Sequence, residues 1–197
     1  MNFLAHLYLS NNQPDVQIGN FIGDFVKGRQ YERYPENVKR GILLHRHIDH
    51  FTDTHPIPHQ SADRLRVHYR RYSGVLIDLF YDHYLARNWD RYHHQPLHLF
   101  VNQIHKLFIR NYFNLPREVR SFLPFLIKSR RLENYRHVDG IERSLTIMTN
   151  HTSLPPHVKE AMAILREHDQ AFEQEFLTFF EELRVAASAF LNHPLPH

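Results

Sequence analysis

The chain has 197 residues, 42% of them hydrophobic, a formal net charge of +3 and 18 histidines. That is enough chain for one domain with a buried core, and too apolar for a disordered tail. There is no cysteine, which excludes disulfides, thiolate zinc sites and a cysteine nucleophile. The start, Met1 to His6, has neither a basic stretch nor a small-residue cleavage site, and no apolar run approaches the roughly 20 residues of a membrane span. A cytoplasmic protein without membrane contact is expected. The basic balance points to an acidic partner: nucleic acid, a phosphorylated metabolite or an acidic protein.

With only six glycines, and eleven prolines lying mostly between apolar-periodic segments, the pattern predicts an all-α domain that spans residues 1–197. In chain order, a short helix is expected over about residues 2–10 and a second over about 15–28. Ile18, Phe21, Ile22, Phe25 and Val26 nearly encircle the second, which should be central and buried. A third helix runs from about Pro35 to about Thr52. Pro56 and Pro58 predict a loop over Thr54–Pro58. Further helices are expected near about 59–71, 74–88, 96–112, 116–129, 132–149 and 155–190, the last with a break that the pattern does not locate.

Three of these helices carry acids and histidines where core residues belong. Asn20 and Asp24 lie one turn apart in the most apolar helix. In the third, the stripe begun by Val38 and Ile42 continues as His45 and Asp49. In the helix near 74–88, Val75 shares a face with Asp78 and then Asp82. On the first helix, Asn2 and His6 are one turn apart. Each piece has a plain alternative: an ion pair of Asp24 with Lys27 or Arg29, an intrahelical His45–Asp49 hydrogen bond, solvated acids at 78 and 82, or a core histidine at 6. Taken together, they ask for compensation, because an uncompensated buried carboxylate costs several kcal/mol. A divalent cation held by imidazole and carboxylate would supply it, with zinc, manganese or iron suited to such donors. The glycine-rich nucleotide loops and the G-x-S-x-G elbow are absent from the sequence.

At these residues the chain resembles a known family. Met1-Asn2-Phe3-Leu4-Ala5-His6-Leu7, the Gly19–Gly28 block GNFIGDFVKG, the Gly41–Asp49 block GILLHRHID with Phe51-Thr52-Asp53, and Asp82-His83-Tyr84-Leu85-Ala86-Arg87 closely resemble acyl carrier protein phosphodiesterases in wording, order and spacing. The likeness covers about the first ninety residues and is weaker beyond them. It implies hydrolysis of the phosphodiester joining 4′-phosphopantetheine to a serine of holo acyl carrier protein. It also implies a divalent cation, manganese first, with magnesium, iron or zinc as alternatives. A distant likeness to HD phosphohydrolases implies a helical fold with ligands drawn from separate helices. The HD enzymes' adjacent His-Asp pair, however, is replaced here by His45…Asp49, Asp49-His50 and Asp82-His83.

On this basis Asp24, His45, Asp49 and Asp82 are the first candidates for metal ligands, with His6 and Asp78 next. Arg46 is the candidate phosphate clamp, and His83 or His47 the candidate proton donor to the leaving serine. Lys27, Arg29, Lys39, Arg40, Arg64, Arg66, Arg70 and Arg71 are candidate contacts to the carrier. Two other classes fit the same residues: a metal-dependent nuclease or nucleotide phosphohydrolase, and a non-catalytic metal- or haem-binding helical protein. The oligomeric state is left open.

Overall fold

A computed structural model describes residues 2–193. They contain helices and no strand. The first three helices are α1 (Phe3–Leu9), α2 (Pro14–Ile22) and α3 (Glu36–Thr54). Next come α4 (Pro56–Asp63), α5 (Arg66–Tyr69), α6 (Ser73–Arg87) and α7 (Trp89–Tyr92). The second half is α8 (Leu97–Arg110), α9 (Arg117–Lys128), α10 (Arg131–Asn134), α11 (Val138–His151), α12 (Val158–Glu167) and α13 (Asp169–Asn192). The predicted all-α class and the central place of the second helix stand, since every residue from Val16 to Ile22 is buried.

Several boundaries change or become definite, and the segments expected over about 59–71 and 132–149 are each divided, into α4 and α5 and into α10 and α11. The loop predicted over Thr54–Pro58 is mostly helix. Pro56 and Pro58 sit in the first turn of α4, where an amide hydrogen has no intrahelical acceptor to lose, and only His55 separates α3 from α4. The last segment breaks at His168, between α12 and α13. The second helix stops at Ile22 and passes into a 3-10 turn, Gly23–Phe25, so Asp24 projects from a turn rather than from the helix.

Helices α2 and α3 cross in close contact. Gly19 and Gly41 face each other there. A Cβ on Gly19 would collide with the backbone carbonyl of Val38, and one on Gly41 with that of Val16. Two side-chain-free positions let the backbones touch, which sets Asn20 of α2 beside His45 of α3. On the far side of α3 lies α13, whose Phe176, Phe179 and Phe180 are fully buried. Arg64, just past the end of α4, is tied to Glu175 of α13 by a two-bond fork at 2.8 and 2.7 Å. Arg87 of α6 likewise pairs with Asp169 and Glu173.

Helix α1 has seven residues, too few to be stable alone. Its amino end is fastened from outside. The Leu4 and Ala5 amides donate to the two carboxylate oxygens of Asp82, at 2.8 and 3.0 Å, and the Phe3 amide donates to Asn2. A negative group at the positive end of a helix is favourable besides. Burial pushes the Asp82 carboxyl up to about 7, against the pull of those two amides. Replacing it by asparagine removes one acceptor and turns an amino group on an amide hydrogen. At pH 8, where the carboxylate is ionised, Asp82→Asn is expected to cost about 1–3 kcal/mol, seen as a lower melting temperature. An unchanged melting curve would mean that α1 is held without it.

Candidate metal centre

His6 comes from α1, Asn20 from α2, Asp24 from the turn that follows, and His45 and Asp49 from one face of α3, one turn apart. The two imidazoles stack with centroids 4.2 Å apart and planes 20° from parallel. Gly23 makes room for this, since a Cβ at that position would strike the His45 ring.

Asn20 orients both rings. Its side-chain oxygen meets His6 Nδ1 at 2.7 Å, and its backbone oxygen meets His45 Nδ1, also at 2.7 Å. Its own amide nitrogen donates to the His6 carbonyl at 2.7 Å and to Ser10 at 3.0 Å, which fixes which end of the side chain is the oxygen. Both partners of the Nδ1 atoms are therefore acceptors only, so each Nδ1 carries the hydrogen. In a neutral imidazole that leaves the lone pair on Nε2, the form that binds a metal.

Both Nε2 atoms turn toward Asp49. His6 Nε2 is 3.2 Å from one carboxylate oxygen, and His45 Nε2 is 3.1 Å from the other. Asp24 reaches within 3.3 Å of His45 Nε2 from the solvent side, with 64% of its side chain exposed. His6, His45 and Asp49 offer three ligand atoms that lie within 4.8 Å of one another. His45 Nε2 is buried and faces both carboxylates. Electrostatics agree. Burial lowers the His45 imidazole, but Asp24 and Asp49 outweigh it and raise it to about 9. Burial and the neighbouring His45 charge lower His6 to about 4. Burial would raise Asp49, but the two histidines hold it far below the usual carboxylate range. Positive charge is wanted between these carboxylates, and a divalent cation on the two Nε2 atoms and Asp49 fits the donor set.

The structure thus brings His6, Asp24, His45 and Asp49 together. It places the other candidates elsewhere. Both Asp82 oxygens are taken by α1 amides. Asp78 is half-buried in the wall of a neighbouring cavity, where burial and the charges of Asp49 and Asp53 push its carboxyl up. Arg46 donates through one nitrogen to the Val26 and Gly28 carbonyls, at 2.8 and 2.7 Å, and its guanidinium lies over the Tyr31 ring. It clamps the segment that follows Asp24, so its part is to position that loop. His47 faces the other way and stacks on Phe190 of α13. His83 is buried with Nδ1 on the Tyr135 carbonyl, 2.7 Å away. The orienting role of Asn20 was not legible in advance. Its one-turn spacing from Asp24 singled it out, but its partners come from α1 and α3. Asn20→Ala would free both the ring of His6 and the carbonyl of its turn. Manganese affinity, measured by calorimetry, is expected to fall about 10–100-fold. Equal affinity in the variant would remove Asn20 from this role.

The comparisons with known proteins bear on what such a centre serves. The profile of the family described as acyl carrier protein phosphodiesterase matches residues 1–183. The chain belongs to that family. Relatives named acyl carrier protein phosphodiesterase include one from Enterobacter sp. (strain 638), 32% identical over 95% of this chain and 97% of its own. Another, from Yersinia pestis, is 32% identical over 91% of this chain and 94% of its own. A third, from Salmonella paratyphi A, is 31% identical over 95% and 98%. No solved structure matches the chain, and the likeness to HD phosphohydrolases rests on the sequence resemblance alone. Among the described residues no helix is long and apolar enough to cross a membrane.

Proposed function

We propose that the chain hydrolyses the phosphodiester between 4′-phosphopantetheine and the serine of holo acyl carrier protein, with a divalent cation, manganese first, held by His6, His45 and Asp49. The observation that carries the reading is the pair of Nε2 atoms that Asn20 turns toward one carboxylate, in a chain of this family. When bound, the cation would polarise the phosphoryl group and favour ionisation of the attacking water.

The chain's own residues do the rest. Asn20 fixes the two rings, so the ligand geometry is set before metal or substrate arrives. Asp49 faces both Nε2 atoms and balances their field. Asp24, the most exposed of the four, stands where the substrate must enter and is assigned as the fourth donor, through a carboxylate oxygen. Arg46 holds the Asp24 loop in place through its bonds to Val26 and Gly28. In the reaction, the water oxygen joins phosphorus, the bond from phosphorus to the serine oxygen breaks, and the proton that the water gives up ends on the serine oxygen.

The test is to incubate the manganese-loaded protein with purified holo carrier and weigh both products by mass spectrometry. Apo carrier together with free 4′-phosphopantetheine is expected, and a chelator should stop the reaction. An unchanged carrier mass, or a product that keeps phosphate on the serine, would reject the proposal.

A further inference from the structure

A cavity of about 540 Å³ opens beside the metal centre, between the carboxyl end of α3, α4 and the start of α6. Its near end is formed by Thr52, Asp53 and Asp78. Asp53 lies four residues beyond Asp49 on α3, about 6 Å along the helix. Ala62 and Ile77 line its floor, while Arg66, Arg70 and Arg71 stand in its wall.

Four features mark its outer edge as a contact surface. Arg70 and Arg71 have no acidic partner among the described residues, whereas Arg66 is paired with Asp63 at 2.7 Å. Arg70 has φ 47° and ψ −120°, a backbone conformation that strains any residue with a side chain and is retained where surroundings or function demand it. Val67, between these arginines in the chain, is 83% exposed, and Val75 at the start of α6 is 40% exposed. Nothing lies within 4 Å of where a Gly74 side chain would begin, so the surface between them is open.

We infer that this arginine-walled cavity docks the protein part of the substrate, through a segment of that protein bearing acidic side chains around an apolar one. The inference rests on the reading above and deepens it. In that reaction the bond that breaks is on the serine oxygen itself. The body of the protein substrate must therefore come up to the metal centre, and the surface one or two turns away has to meet it. A basic wall next to exposed valine side chains selects an acidic, partly apolar partner by charge and by burial.

The test compares the wild type with Arg70→Glu/Arg71→Glu and the milder Arg70→Gln/Arg71→Gln, using holo carrier as substrate and apo carrier as binding probe. For the charge reversal, KM for the carrier is expected to rise at least about tenfold, with kcat at saturation and manganese affinity unchanged. Apo-carrier affinity should fall by the same factor. The wild type's affinity should weaken with salt more steeply than the variant's. The glutamine pair should fall between. Unaltered KM and apo-carrier affinity in both variants would overturn the docking assignment and leave the hydrolase reading standing. So would loss of inorganic phosphate or RNA binding at an unaltered carrier KM, since the wall would then serve another anion. A wild type that neither binds nor cleaves the carrier would overturn the function and the docking inference together.

Discussion

Asp49→Asn is expected to lower turnover of holo carrier by about three orders of magnitude or more, roughly 4 kcal/mol of transition-state stabilisation, while leaving the helical fold intact. The carboxylate of Asp49 faces both imidazole Nε2 atoms, at 3.2 and 3.1 Å, so its loss touches both histidines of the cluster. An amide of nearly the same shape keeps the packing but offers one neutral oxygen and an amino group, which no cation accepts. Asp49 is also 37% exposed, so the substitution leaves no cavity. This makes it a cleaner probe than His45→Ala, whose ring is buried against Gly23 and whose loss would lower stability as well. Circular dichroism should be unchanged, and manganese titration should show binding that is lost or much weakened. Normal turnover with normal manganese affinity would displace the centre from these residues.

Gly41→Ala is expected to give a large loss of stability. The new Cβ would meet the Val16 carbonyl oxygen, with the Asn20 amide and the Gly19 Cα next to it. These are backbone atoms and cannot turn aside as a flexible side chain would, so α2 must move off α3. Overpacking of a tight core costs about 1–3 kcal/mol and occasionally more, and a rigid backbone clash belongs at the upper end. For a chain of this size that is roughly 6–12 °C in melting temperature. Because the crossing also sets Asn20 beside His45, manganese affinity should fall with it. A surface glycine serves as the control: Gly74→Ala, in the first turn of α6, meets nothing within 4 Å and should melt no lower than the wild type. Equal melting temperatures for the two variants would refute the close-crossing argument.

Helix periodicity alone was enough to place His45 and Asp49 on one face of α3, since an i, i+4 pair shares a face in any α-helix. The same arithmetic failed for Asp82. Its position on an apolar face did signal that something must compensate a buried carboxylate. In the structure two amides of α1, seventy-eight and seventy-seven residues away, donate to it, contacts that helix periodicity does not encode. Arg46 shows the same limit. Adjacent to His45, it was expected at a phosphate, but the segment after Asp24 leaves the helix and presents carbonyl groups that take its guanidinium first. His47 stacks on Phe190 of α13, and His83 meets the Tyr135 carbonyl, partners that their places beside His45 and Asp82 in the chain do not indicate.

The all-helical class, the buried second helix and the family were therefore properties of the sequence alone. They follow from short-range spacing and from four motif blocks, which survive without knowledge of any contact. The composition of the centre was decided only in three dimensions. Residues 6, 20, 24, 45 and 49 meet because Gly19 and Gly41 let two backbones touch and because Asp82 fastens a helix too short to stand alone. A donor set is defined by where atoms point. Which nitrogen of each imidazole keeps its lone pair was settled by two acceptors of Asn20, contacts that no spacing along the chain encodes.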